Sequence, residues 1–240
     1  MKLLLILIFL VSVTSAAAED ISQELDKVVV TASRVEEKLK EAPVTINVLD
    51  SAEIEKIKYR NPSDILRRIP GIYSHDFGGE SEITSIRVQT HFTNPYTIVL
   101  LDGVPISNYG SGSSGQFAEL NSDNISHIEI IKGPASALYG SNAIGGVINV
   151  ISKDPTATPQ VKLWSEYGTG EHWRSGISGS GSSEKVSFNI DLNHIDSEGW
   201  RDHSSLNKKT GNIKLQYLPT DESLVSLKLD YLTSENDTPG

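Results

Sequence analysis

Three stretches in the second half of the chain alternate apolar and polar residues with a strict period of two. Val186, Phe188, Ile190, Leu192 and His194 fall on one face of the first, with Lys185, Ser187, Asn189, Asp191 and Asn193 on the other. Ile213, Leu215 and Tyr217 oppose Asn212, Lys214 and Gln216 in the second, and Val225, Leu227, Leu229 and Tyr231 oppose Ser226, Lys228 and Asp230 in the third. A period of two belongs to β-strands, because successive side chains point to opposite faces. Weaker strands are expected at 161–167 and 173–179, giving five, with turn signals such as Gly168-Thr169-Gly170 and Pro219-Thr220-Asp221 separating some of them. Repeated strands with one apolar and one polar face suit the wall of a membrane β-barrel. They equally suit a soluble antiparallel sheet with one wet face.

The N-terminus bears on that choice. Lys2 is followed by nine apolar residues, and Ala16-Ala17-Ala18 precede Glu19. A basic start, a short apolar run and small residues at the end form a signal peptide over 1–18. The run is too short for a helical span, which needs about 20 apolar residues. No later stretch is apolar enough to cross as a helix, so further membrane contact of the exported chain is expected through strands. The chain has no cysteine, which excludes a disulfide framework, a thiolate metal site and a cysteine nucleophile. Its net charge of -10 lacks the footprint of a nucleic-acid binder.

Between these ends the chain reads as α+β. Residues 19–25 are polar. Asp26, Lys27, Val28, Val29, Val30, Thr31 and Ala32 form a β-prone run, followed by a charged stretch at 34–41. Such a run is either an ordinary edge strand or a segment that adds to a partner's sheet. From Pro43, a strand is expected at 44–49. Asp50 then caps a helix, with Glu53 at the capping-box position. Asn61-Pro62 starts a second helix with Ile65, Leu66 and Ile69 on its apolar face, stopped by Pro70-Gly71. Further strands are expected at 83–88, at 97–101 (turned by Asp102-Gly103), at 125–131 and within 143–151, with a short helix at 135–139 closed by Gly140. The Gly145-Gly146 pair implies close approach of another backbone. Residues 155–159, with Thr156-Ala157-Thr158 between two prolines, read as a linker.

No motif carries catalysis. Gly110, Gly112 and Gly115 fit G-x-G-x-x-G, but they neither follow a strand directly nor open a helix, so a phosphate site is not expected. Ser136 lies in no nucleophile elbow, and the six histidines lack metal-ligand spacing. The chain is therefore read as no enzyme, without a resident metal or cofactor. Three polar stretches, 74–82, 89–96 and 106–116, read as loops that mix aromatics with hydrogen-bonding groups. Such loops suit recognition of a medium-sized polar ligand, or are simply solvated.

Taken in order, several segments resemble a known family: the export signal, the run 26–32, Pro70-Gly71-Ile72, Leu100-Leu101-Asp102-Gly103-Val104-Pro105, Ile128-Glu129-Ile130-Ile131-Lys132-Gly133-Pro134, and the run from Leu138 to Asn149. This set is similar to the N-terminal part of a TonB-dependent outer-membrane receptor of the vitamin B12 and ferric-siderophore type. The resemblance covers nearly all of the mature chain. It implies an α+β plug domain at 43–154, followed by antiparallel strands of an incomplete outer-membrane β-barrel at 155–240, with the segment 19–42 in the periplasm. Asp26, Lys27, Val28, Val29, Val30, Thr31 and Ala32 match the TonB box, so a TonB-like energy-coupling protein is the implied partner. The three polar loops match the plug apices that touch substrate, which singles out His75, Phe77, Gln89, Phe92, Asn94, Tyr96, Asn108 and Tyr109. The implied function is energy-coupled import of a metal chelate across the outer membrane, a ferric siderophore first and cobalamin second. Two features depart from the pattern. Ile86-Arg87-Val88 stands where the family usually has Ile-Arg-Gly, and five strands cannot close a barrel, so an N-terminal fragment is expected. The competing expectation is an exported, soluble plug-like binding module without transport.

Overall fold

The computed structural model describes residues 28–29, 37–38, 45–57, 63–78, 81–87, 96–106, 117, 120–141, 143–199, 202–220 and 222–237. The expected signal peptide lies outside them, as does the glycine motif at 110–115. Near the N-terminus, β1 (Val28–Val29) pairs antiparallel with β2 (Glu37–Lys38).

β3 (Ile46–Asp50) runs directly into α1 (Ser51–Lys56) through the expected capping box. The Asp50 carboxylate accepts the Glu53 N–H at 2.9 Å, and the Glu53 carboxylate accepts the Asp50 N–H at 3.2 Å. Two otherwise orphaned donors are thereby satisfied. α2 (Ser63–Leu66) is a single turn, shorter than the spacing of Ile65, Leu66 and Ile69 suggests. The Ile69 N–H donates to the Leu66 carbonyl, and Gly71 at φ 80° turns the chain into β4 (Ile72–Gly78). β4 pairs antiparallel with β5 (Ser81–Ile86), so residues 74–78 and 81–82 lie in paired strands and not in the loop expected from their polarity. Ladder hydrogen bonds there outweigh weak strand propensity.

β6 (Thr97–Leu101) turns back into β7 (Val104–Pro105) at Asp102 and Gly103, whose φ values of 49° and 79° suit a tight hairpin. A 3-10 turn at Ser122–Asn124 leads into β8 (Ile125–Lys132), followed by α3 (Ser136–Tyr139) and β9 (Gly146–Ser152). The sheet order is β3-β8-β9-β6-β7, with β6 and β9 parallel and the other pairs antiparallel. Ile128, Ile130, Ile148 and Val150 pack on one face beneath α1 and α2, with Ile54, Ile65 and Leu66. Ile98, Leu100, Ile131 and Val147 pack on the other with Tyr139 and Ala143. The glycine pair is explained by contact. A Cβ on Gly146 would collide with the Ile131 carbonyl, and one on Gly145 would lie 2.9 Å from the Ile86 carbonyl. Glu129 is fully buried, its Oε1 3.2 Å from His127 Nε2.

Beyond the linker, β10 (Gln160–Gly168), β11 (His172–Ser183), β12 (Val186–Ser197), β13 (Leu206–Thr220) and β14 (Ser223–Asn236) form an antiparallel meander in chain order. These are the five expected strands, and the two weaker ones are as regular as the rest. One face carries exposed apolar residues, among them Leu163, Leu192, Leu227 and Tyr231. The opposite face carries Arg174, Asn189, Asp191, Asn193 and Asn212, all buried against the N-terminal domain. An apolar exterior over a polar interior is the pattern of a barrel wall. The meander remains an open sheet, with β10 and β14 at its edges.

Candidate functional site

The polar wall face meets the N-terminal domain along one seam. Arg174, 6% exposed, donates through one terminal nitrogen to both oxygens of Asp123, at 2.8 and 3.0 Å. Its guanidinium also lies 5.1 Å from the Trp164 ring centroid and 3.7 Å from Glu166. The 3-10 turn is tied beside it. Asn193 Nδ2 donates to Asn121 Oδ1 at 2.9 Å, Asn121 Nδ2 donates to Asn212 Oδ1, and Asn189 Nδ2 donates to Asn124 Oδ1 at 3.1 Å. Lys214 pairs with Asp154 at 2.6 Å. Buried polar groups tolerate such burial only when hydrogen-bonded, and here each side supplies what the other lacks.

A second tie forms at the Asp102-Gly103 turn. Lys228 Nζ lies 2.6 Å from Asp102 Oδ2, while the N–H and hydroxyl of Ser152 donate to the same carboxylate at 2.7 Å each. Burial pushes the Asp102 carboxyl upward, but the hydrogen bonds from Lys228 and Ser152 outweigh it and hold the group below its ordinary value of 3.8.

Of the expected ligand-contact residues, those described belong to the other end of the sheet. Thr97 pairs with Gly146 at one end of β6 and β9, whereas Ser152 and the linker lie at the other. Tyr96 is exposed at φ 49°, and its carbonyl accepts the Gly145 N–H at 2.7 Å. The β4–β5 hairpin joins this end through the Ile86 N–H, which donates to Thr97 Oγ1 at 3.2 Å. His75 and Phe77 sit on β4 of that hairpin. Gln89, Phe92, Asn94, Asn108 and Tyr109 lie outside the described residues, as do Asp26, Lys27, Val30, Thr31 and Ala32. Val28 and Val29 are the strand β1.

Two cations at this end were not singled out from sequence. Lys132 Nζ donates to the Pro70 carbonyl at 2.7 Å, and burial together with the charge of Arg87 pushes its ammonium below the ordinary lysine value. Their positions 45 residues apart gave no local signal. Among the described residues, no group of acidic, histidine or cysteine side chains could hold a metal ion, and no helix is long and apolar enough to cross a membrane.

Residues 38–147 match the family model described as the TonB-dependent Receptor Plug Domain. Residues 38–147 are thus similar to the plug domain of TonB-dependent receptors. A vitamin B12 transporter, BtuB, of Vibrio vulnificus is 40% identical over 130 residues, which is 54% of this chain and 21% of that protein. BtuB of Photobacterium profundum is 37% identical over 127 residues, 53% of this chain and 20% of that protein. Among solved structures, the siderophore receptor PirA from Acinetobacter baumannii superposes with a TM-score of 0.66 at 26% identity, over 80% of this chain and 32% of that one. The FpvAI–pyocin S2 complex gives a TM-score of 0.76 at 21% identity over 85% of this chain and 27% of that one, a likeness of fold. The chain thus spans about a fifth of the length of the curated relatives it matches. These matches are to transporters and receptors, not to enzymes. The fold is a plug followed by antiparallel strands of an incomplete barrel, and the seam described above is where plug meets wall.

Proposed function

We propose that these residues serve as the plug and first wall strands of an outer-membrane importer of a metal chelate, driven by a TonB-like protein acting on residues 26–32. The observation that carries the reading is the seam itself. A plug held by Asp123–Arg174 and Asp102–Lys228 to the polar face of a wall whose other face is apolar is the arrangement that a plugged barrel requires. The exposed apolar face also weighs against the soluble-module reading. Substrate is received at the end bearing Tyr96 and the β4–β5 hairpin, and release into the periplasm follows rearrangement of the plug. The 40% identity to a vitamin B12 transporter makes a corrinoid the first compound to test and a ferric siderophore the second.

Removing residues 26–32 from the complete receptor tests the coupling. The deletion is expected to leave chelate binding to whole cells intact and to abolish uptake. Unchanged uptake overturns the role assigned to the segment. Recovery of the protein outside the membrane fraction overturns the importer reading.

A further inference from the structure

We infer that Glu166 and Asp230 of the wall are receiving carboxylates: they take over the two seam cations, Arg174 and Lys228, when the plug moves aside during import. The inference rests on the importer reading above. At both ties one cation is shared between a plug carboxylate in contact and a wall carboxylate just beyond hydrogen-bond distance. Arg174 Nη2 lies 2.8 Å from Asp123 Oδ2, whereas its Nη1 lies 3.7 Å from Glu166 Oε2. Lys228 Nζ lies 2.6 Å from Asp102 Oδ2 and 3.9 Å from Asp230 Oδ2. The two ties share no residue and stand on different strands, yet they carry the same arrangement.

The wall alone positions both receiving groups. Glu166 of β10 is the register partner of Arg174 of β11, so the two face each other across the strands. Trp164, two residues earlier on the same face of β10, holds the guanidinium 5.1 Å from its ring centroid. Asp230 follows Lys228 by two residues on the same face of β14. Its Oδ1 accepts from Asn212 Nδ2 at 2.6 Å, which leaves Oδ2 on the lysine's side. None of these supports belongs to the plug, so all of them stay when it leaves. The Glu166 side chain is 50% exposed and that of Asp230 39%, so water solvates both carboxylates while the plug is docked. The plug keeps partners of its own. Asp102 retains the N–H and hydroxyl of Ser152, and Lys153, whose Nζ donates to the Asp123 carbonyl at 2.7 Å, stays beside Asp123.

Breaking a buried ion pair is costly chiefly because one charge is left uncompensated away from water. The Arg174 side chain is 7% exposed, so it would carry that cost if Asp123 simply withdrew. A turn of the guanidinium toward Glu166 removes it, and the lysine needs a similar movement toward Asp230. The seam is thereby firm when docked and inexpensive to open. A closure that never opens gains nothing from a second carboxylate at each cation, whereas an importer that opens in every cycle does.

The test is seam opening in the complete receptor, read as the rate at which a maleimide labels Ser122→Cys. Ser122 is 8% exposed in the turn that carries Asp123. The 240 residues contain no cysteine, and any in the rest of the receptor is replaced by serine. Glu166→Gln is expected to slow labelling about five-fold, the scale of one solvent-accessible ion pair, because the opened state loses its receiving carboxylate. Asp230→Asn, which keeps an acceptor for Asn212, is expected to slow it similarly. Glu166→Asp keeps the charge and is expected to label near the unsubstituted rate. A carboxylate that only supports the docked seam gives the opposite sign, since its loss weakens docking and speeds labelling. Unchanged or faster labelling in Glu166→Gln and Asp230→Asn, or equal slowing by Glu166→Asp, overturns the proposal. Slowing by one variant alone overturns it at the other tie. No chelate or energy source enters the measurement, so an adverse result leaves the importer reading standing. Recovery of the receptor outside the membrane fraction removes that reading, and with it the role in import, whatever the labelling rates.

Discussion

Arg174 of the wall grips both carboxylate oxygens of Asp123 of the plug through a single guanidinium nitrogen, and the two residues are 51 positions apart in the chain. The arginine is almost fully buried, whereas Asp123 keeps 25% of its side-chain surface. Removing Asp123 leaves the buried arginine only the longer contact to Glu166 at 3.7 Å, and breaking a buried pair costs about 3 kcal/mol. Asp123→Asn in the complete receptor should therefore loosen the plug by about that much, read as a lower urea concentration at which the plug becomes protease-sensitive. The pair replacement Asp123→Asn with Arg174→Met should cost less than the sum of the single changes. Additive losses would show that the two groups do not act together.

Asp102 gives the seam a one-sided dependence on pH. Its folded-state carboxyl sits below the ordinary value of 3.8, so the folded state binds a proton less readily than the unfolded chain. Its stabilising contribution is present above about pH 4 and is lost as pH falls through the folded value. The Ser152 N–H, which donates to this carboxylate, should lose hydrogen-exchange protection below about pH 4, beyond the intrinsic change. The Gly103 N–H, which donates to Asn149 Oδ1 at 3.0 Å, should not. In Asp102→Asn the step at Ser152 should vanish. Protection that falls in parallel at both amides would point to general opening of the plug.

Glycines 146 and 179 are both strand residues with opposite expected tolerance. A Cβ on Gly146 meets the Ile131 carbonyl and Ile86 Cδ1, at φ 156°. A Cβ on Gly179 meets nothing within 4 Å. Gly146→Ala should force β8 and β9 apart and cost about 3 kcal/mol or more, at the upper end of overpacking penalties. Gly179→Ala should be silent. The readout is the yield of receptor with a protease-resistant plug. Equal yields would mean that the β8–β9 pairing accommodates the methyl group.

The contrast between local and distant signals explains what the sequence disclosed. Asp50 with Glu53, the Asp102-Gly103 turn, Gly146 and the five wall strands are written in neighbouring residues, and each is found in its expected role. The second strand of the β4–β5 pair overlaps the strand expected at 83–88, but the paired part of 74–82 reads as a loop because its residues are mostly polar and its stability comes from cross-strand pairing. The strand expected at 125–131 is found, but alternation gives no sign that its Glu129 is fully buried, in a strand paired with β3 on one side and β9 on the other. The seam was the least legible part. Lys228 is 126 positions from Asp102, and alternation marks Lys228 only as one of many polar residues on its face. The Asn121-Ser122-Asp123-Asn124 run is polar, and its burial at Ser122 and Asn124 shows only in the structure.

Tyr96 is the one ligand-contact candidate whose side chain is described, and its geometry makes a clean test. Its place in the fold depends on its backbone, because the carbonyl accepts the Gly145 N–H while the ring is 40% exposed. Truncation should therefore spare the plug. A residue at φ 49° pays for that conformation with or without the ring, so Tyr96→Ala leaves backbone strain nearly unchanged. If the ring stacks on or hydrogen-bonds to a chelate, the alanine variant loses about 1–3 kcal/mol of binding, a five- to 150-fold rise in Kd, with plug protection unaltered. Tyr96→Phe separates the two contributions: a loss as large as that of alanine assigns the contact to the hydroxyl, and near-native binding assigns it to the ring face. The measurement is equilibrium binding of cyanocobalamin and of ferric chelates to outer-membrane preparations lacking other receptors. Wild-type affinity in Tyr96→Ala for every chelate bound would remove Tyr96 from the site, leaving the hairpin residues His75 and Phe77 as the next to replace.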